Sequence, residues 1–260
     1  MSSSVNLHVL YKVANAPISV FPFPHIYVRD VFPGDFYREL RAHLPPNAVF
    51  RDLKELGRVS YDYPDTRLVM PITRDTVAAL PEPYRSFWDE LARWLLGGFG
   101  QTMLAKFGQF LDHRFGDLRR MQYYDDALLV QDYTTYTLGP HTDSPHKVLS
   151  FLFYLPADDS LAHLGTSIYV PKEPNFTCLG GPHHPFKLFL RMTTMPYLPN
   201  TLFAFVKTHN SFHGVEPIQE ANIRRDLLLY DIKVKNPPEL NQQAPAAVES
   251  GASPPIRFTF

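Results

Sequence analysis

One cysteine, Cys178, is present in 260 residues. A lone thiol has no partner in its own chain, so a scaffold stapled by intrachain disulfides is excluded, and a structural zinc site built on several thiolates is a poor fit. Long apolar runs are missing as well. No stretch approaches the ~18 residues that a membrane-spanning helix needs. Residues 1–8 lack the basic start and apolar run of a secretory signal. An excess of charge of one sign is also absent: 25 Lys and Arg stand against 26 Asp and Glu, a formal net charge of −1. Nucleic-acid partners select a basic excess, so none is expected. These absences predict a reduced, cytoplasmic setting with no membrane span. Cys178 sits in the Gly- and Pro-rich stretch 176–182 and reads as an unreactive loop thiol.

Proline, by contrast, is abundant, with 25 residues spread along the chain. Proline interrupts helix interiors and central strands, which favours short strands joined by turns over a helical bundle. Residues 35–44 carry apolar side chains at 36, 37, 40 and 44, a helical spacing that Pro45 and Pro46 end. Residues 83–96 predict a second amphipathic helix ending near Gly97-Gly98, and 101–110 a third. From about 121 the character changes. Residues 128–133, 148–155, 166–170, 201–206 and 226–232 are short, rich in aromatic and branched residues and bounded by turn formers, so they predict strands. Helices followed by a run of strands indicate an α+β arrangement whose strands form a sandwich or jelly roll. The expected division is an N-terminal extension over 1–20 and one domain over 21–235, with a helical annex over about 33–116 and a β core over about 121–235. A Pro-rich tail over 236–260 follows, whose alternating 256–260 segment is a candidate edge strand.

The strongest chemical signal is Leu138-Gly139-Pro140-His141-Thr142-Asp143. In extended chain, residues i and i+2 point the same way, so His141 and Asp143 offer an imidazole nitrogen and a carboxylate oxygen to one point. His213, in Phe212-His213-Gly214-Val215 after a strong strand, is the third candidate, and Gly214 permits close backbone approach. His209 competes for this role and lacks the Gly-Val that follows His213. Two histidines and one carboxylate on one face of a metal leave positions open, the arrangement diagnostic of non-haem Fe(II) oxygenases. Arg224 and Arg225, 11 and 12 residues beyond His213, open the next strand. A guanidinium there suits a carboxylate ligand through paired hydrogen bonds. Neighbours in a strand face opposite sides. Arg224 inward brings Asp226, Leu228 and Tyr230 inward, whereas Arg225 inward brings Leu227, Leu229 and Asp231. Asp226 would repel a carboxylate, which favours Arg225, with both kept as candidates.

The chain here resembles the 2-oxoglutarate/Fe(II)-dependent dioxygenases, in their prolyl-hydroxylase-like branch. The resemblance rests on Gly139 to Asp143, on Phe151-Leu152-Phe153-Tyr154-Leu155, on Gly165-Thr166-Ser167-Ile168-Tyr169, and on Phe212 to Val215 with Arg224-Arg225 beyond; the segment 21–28 followed by a helix matches the usual entry to such folds. It implies a double-stranded β-helix, a distorted jelly roll with N-terminal helices packed on it. It implies Fe(II) held by His141, Asp143 and His213, with 2-oxoglutarate as co-substrate and O2 as oxidant. Oxidative decarboxylation then yields succinate and CO2, and hydroxylation of a small molecule or protein side chain is the default outcome. Tyr133 and Tyr136, on the strand entering the motif, are candidates for binding the co-substrate, and Gln131 and Lys147 for touching substrate. His146 is expected behind the site or at the surface, and His183-His184 in an exposed loop. The arginine offset is slightly long for the family, and residues 171–196 resemble an insertion, a candidate lid. The rival readings are a non-catalytic binding module on the same fold and a cupin-type metal enzyme that does not use 2-oxoglutarate.

Overall fold

A computed structural model describes residues 1–59, 63–116 and 118–241. Most of the tail expected from 236 onward, including 256–260, lies outside the described residues. No helix among the described residues is long and apolar enough to cross a membrane.

The chain begins with helix α1 (Ser3–Asn15), strand β1 (His25–Arg29) and α2 (Gly34–Ala42). Two short strands follow, β2 (Arg51–Asp52) and β3 (Arg67–Pro71), then α3 (Arg74–Ala78), α4 (Tyr84–Trp94) and α5 (Gly100–Phe115). The strands β4 (Tyr123–Tyr133), β5 (Leu138–His141), β6 (Lys147–Tyr154) and β7 (Thr166–Pro171) come next. After them run β8 (Phe189–Met195), β9 (Thr201–Val206), β10 (His213–Val215), β11 (Arg224–Val234) and the short α6 (Pro238–Asn241).

Four sequence expectations are corrected. The helix expected to end near Gly97-Gly98 does not end there: a π turn, Leu95–Phe99, joins α4 to α5 without a break. Leu95, Phe99, Met103, Phe107 and Leu111 form one buried stripe at intervals of four, while Gly97 and Gly98 lie on the exposed side. Continuous burial outweighs the glycines' cost of about 1 kcal/mol each. The helical annex also contains β2 and β3, too short for a periodicity to register. Finally, 171–196 is not a loop throughout, because β8 pairs with β7 along its length. Residues 1–20 are likewise not a bare extension, since α1 buries Val9 and Val13 in the main core.

All paired strands are antiparallel. They form a seven-stranded sheet ordered β1-β9-β6-β11-β4-β3-β2 and a four-stranded sheet ordered β5-β10-β7-β8. From β4 onward the chain passes repeatedly between the two sheets. The central strands of the larger sheet are buried on both faces, which is why they read as nearly continuous apolar runs. One face, with Phe151, Phe153, Ala204, Leu228, Tyr230 and Ile232, packs in the same core as the stripe on α5. Gly100 sits close against the sheet, where an added Cβ would stand 2.5 Å from the Tyr230 hydroxyl. The other face carries Ser150, Leu152, Phe205, Arg225, Leu227, Leu229 and Asp231, which line a cavity of about 400 Å³. That size falls in the range of small-molecule sites.

Candidate active site

Strands β5 and β10 are neighbours, and their register sets His213 directly opposite His141. The two rings lie 4.4 Å apart between centroids. Gly214 makes this approach possible: a Cβ there would stand 2.5 Å from the Leu138 carbonyl oxygen. Each imidazole is anchored by its own chain, His141 Nδ1 lying 3.0 Å from the Gly139 carbonyl and His213 Nδ1 3.0 Å from the Ser211 carbonyl. A carbonyl only accepts, so Nδ1 carries the proton and the lone pair sits on Nε2. Burial lowers the pKa of both histidines against the opposing pull of Asp143, and that of His141, where His213 adds to the effect, the more strongly. Both are therefore neutral donors near pH 7.

Asp143 follows the end of β5, and its Oδ1 lies 4.0 Å from His141 Nε2 and 3.9 Å from His213 Nε2. All three ligand atoms fall within 4.8 Å of one another, and all three residues are buried. The two carboxylate–imidazole separations lie about an ångström beyond the ~3 Å between adjacent ligands of a cation with bonds near 2.1 Å. The Asp143 Oδ2 atom is taken by the Ser150 hydroxyl at 2.7 Å, which turns Oδ1 toward the histidines. Lys147 Nζ stands 3.1 Å from Asp143 Oδ1 and 3.1 Å from Asp231 Oδ1. Burial by itself would raise the Asp143 pKa, but Lys147 foremost, then the histidines and Ser150, holds it well below the usual carboxylate range. Burial raises that of Asp231 despite Lys147.

At another part of the cavity wall Arg225 is wholly buried. Its Nη1 donates to Asp132 Oδ2 at 3.2 Å, while Nε and Nη2 have no hydrogen-bond partner. Asp132 is also gripped by Arg67, through Nε at 2.5 Å and Nη2 at 2.8 Å. One carboxylate between two guanidiniums leaves a net positive charge here, and Nε with Nη2 is the guanidinium edge that matches a carboxylate in a fork. The buried Thr166 Oγ1 also lacks a partner, and the Thr166 amide donates to the Tyr154 hydroxyl at 3.3 Å. Arg224 lies on the opposite face, where it donates to Asp226 Oδ2 from Nε at 3.2 Å and Nη2 at 3.1 Å. Strand parity thus places Leu227, Leu229 and Asp231, not Asp226, on the cavity side with Arg225.

No protein-family model and no curated protein matches the chain. Among solved structures, the non-heme alpha ketoglutarate dependent carbocyclase SnoK from nogalamycin biosynthesis is 11% identical, with 97% of this chain and 94% of that one covered at a TM-score of 0.50. The chain shares that enzyme's fold. A Trichoplax adhaerens prolyl hydroxylase, solved with a hypoxia inducible factor peptide fragment, is 12% identical over 88% of this chain and 89% of that one, with a TM-score of 0.49. A Pseudomonas putida prolyl-4-hydroxylase is 14% identical over 88% and 98%, with a TM-score of 0.46.

Within this fold the remaining candidates separate. Tyr133 is not on the cavity wall; its hydroxyl donates to Gln131 Oε1 at 2.7 Å, on the side of Arg224. Tyr136 is buried behind the wall, with the Arg67 guanidinium 4.4 Å from its ring centre. Both were expected on the strength of their place before the motif, but parity turns Tyr133 outward and Arg67 covers Tyr136. Gln131 binds Asn47 and also faces away, His146 Nδ1 lies against the Val234 carbonyl, and His209 sits beside Glu239. Lys147 does reach the cavity. His183, expected in an exposed loop, is exposed but stacks edge-on against His141 with centroids 4.8 Å apart. Arg67 and Ser150 carry no mark in their local sequence, and Thr166 lies in a matched segment that assigns it no role.

The 178–180 segment is pinned beside this centre. Thr142 Oγ1 donates to the Cys178 carbonyl at 2.9 Å, and Lys207 Nζ to the Leu179 carbonyl at 2.7 Å. Gly180 has φ +135°, and a Cβ there would collide with the Asp143 carbonyl oxygen, so this position requires glycine. Burial, reinforced by Arg114, lowers the Lys207 pKa to about 8. A base with a lowered folded-state pKa costs stability while it is charged, and the cost disappears as pH rises from about 8 toward its unfolded value. Lys207→Met is therefore expected to be more stable than the parent near pH 7, by on the order of 2 kcal/mol. That advantage should vanish by about pH 10, as urea unfolding of the two proteins at both pH values would reveal.

Proposed function

We propose that this protein is an Fe(II)- and 2-oxoglutarate-dependent dioxygenase that hydroxylates an unidentified substrate, a small molecule or a protein side chain. The observation that carries the reading is the pairing of a His141–Asp143–His213 ligand set with a buried, half-satisfied Arg225 in one cavity. The donor set suits the metal: two neutral imidazoles and one carboxylate on one side, with no cysteine among them, match a non-haem iron site. The orphaned Nε and Nη2 of Arg225 suit the distal carboxylate of a dicarboxylic acid.

In this reading His141 and His213 would hold the metal through Nε2, and Asp143 through Oδ1. Ser150 keeps Asp143 from binding through both oxygens, which preserves open positions. Arg225, kept in place by Asp132 and Arg67, takes the far carboxylate of 2-oxoglutarate, with the Thr166 hydroxyl beside it. The metal with 2-oxoglutarate and O2 supplies the oxidising chemistry and yields succinate and CO2. Leu152, Leu227 and Leu229 give the cavity a dry wall, which limits side reactions with water. His183 borders the metal side, where a substrate would approach.

The finer description of the fold belongs to the same proposal. We read the two sheets as the halves of a double-stranded β-helix over about 121–235, because β4, β6, β9 and β11 lie in the larger sheet and β5, β7, β8 and β10 in the smaller, so that the chain crosses between them repeatedly, with residues 33–116 as an annex. A cytoplasmic setting rests on the single cysteine. The test is anaerobic titration of the metal-free protein with Fe(II) and 2-oxoglutarate, followed by visible absorption. A weak charge-transfer band that needs both components is expected. Its absence, with no iron retained, would hand the lead to a binding module on this fold.

A further inference from the structure

The ammonium of Lys147 stands on the very oxygen, Asp143 Oδ1, that faces both histidines. It stands equally close to Asp231 Oδ1, a second carboxylate on the cavity face of β11. Lys147 opens β6 and Asp231 lies near the end of β11, strands paired through most of their length. The lysine side chain is 21% exposed, and those of Asp143 and Asp231 are 9% and 11% exposed. The other charge on this stretch of β11, Lys233, is engaged with Asp126. One half-buried cation thus serves two buried anions.

We propose that Lys147 is a built-in counter-cation of the His141–Asp143–His213 centre, and that Asp231 is the anchor that keeps its ammonium when a divalent metal takes Asp143 Oδ1. The inference rests on the metal-binding reading above and adds to it a control on affinity. A buried carboxylate without a partner is strongly unfavourable. Lys147 meets that need in the metal-free protein. A metal arriving at Oδ1 displaces the ammonium from Asp143, and without a second anion the lysine would be left as an uncompensated buried charge beside a dication. Asp231 removes that penalty. The arrangement sets metal affinity by exchange: the metal must win Asp143 from Lys147, and Asp231 makes the loss tolerable.

The two residues therefore act in opposite directions. Lys147→Met removes the competitor and should tighten metal binding by about tenfold, while Asp231→Asn removes the fallback anchor and should weaken it by a similar factor. The probe is Co(II) alone, titrated into the metal-free protein and followed by its visible absorption, with metal-free thermal unfolding as a control for folding. Lys147→Gln serves as a second variant where Met fails to fold, and the same direction is required of it. Weaker or unchanged binding by the lysine variants, with the parent binding normally, would show Lys147 to be a plain orienting contact and overturn the exchange. A parent that fails to bind Co(II), or whose binding survives His213→Ala, would overturn the metal centre itself and the exchange with it.

Discussion

Arg225→Met is expected to abolish productive binding of 2-oxoglutarate while sparing the metal. The affinity for the co-substrate should fall by about 100-fold or more, because two charge-assisted hydrogen bonds to a buried carboxylate are lost, each worth about 1.5–3 kcal/mol. Fold and metal affinity should persist. Asp132, which Arg225 contacts through Nη1 alone, keeps its two-bond grip from Arg67, so no bare buried carboxylate is created. Methionine also retains most of the apolar stem, giving up the contact of the guanidinium with the Tyr197 ring, 5.1 Å from its centre. Arg224→Met supplies the contrast. Arg224 is 40% exposed and bonded to Asp226 on the other face of the strand, so its loss should change co-substrate affinity by less than about threefold. Equal effects of the two substitutions, measured by the co-substrate dependence of the charge-transfer band, would show that the carboxylate binds elsewhere.

Asp143→Asn should cost more still, in metal affinity. The change leaves the shape of the side chain and removes its charge, and with it the anionic member of the ligand set. The loss should exceed the ~10–100-fold that follows removal of an outer hydrogen-bonding partner, which is the effect expected of Ser150→Ala, since the Ser150 hydroxyl holds only Oδ2. The protein should remain folded, because Lys147 retains Asp231. Isothermal titration with Fe(II) under anaerobic conditions ranks the parent, Ser150→Ala and Asp143→Asn. Metal affinity in Asp143→Asn equal to that of Ser150→Ala would remove Asp143 from the ligand set.

The strands of the core were legible because each is long enough to carry its own pattern. Residues 128–133, 148–155, 166–170, 201–206 and 226–232 all lie within or nearly within observed strands. The short β5 and β10 escaped, although they hold the two histidines, since three or four residues carry no measurable periodicity. The π turn through Gly97 and Gly98 escaped for the opposite reason. Local glycine preference pointed to an end, and burial against the sheet, a tertiary effect, outweighed it.

The sequence by itself determined the identity of the ligand candidates. His141 and Asp143 are two residues apart, so extended backbone brings them together without help, and strand parity alone links the facing of Arg225 to that of Asp231. Only the tertiary structure decided which parity holds, and with it the exclusion of Arg224 and Tyr133 from the cavity. It alone joined Arg67 and Arg225 to Asp132, residues separated by 65 and 93 positions. It alone set Lys147 between Asp143 and Asp231, and stacked His183 on His141. The physical reason is the same in each case. A charge buried in the wall of a cavity must find its counter-charge wherever the fold brings one near, and that partner leaves no mark in the sequence around it.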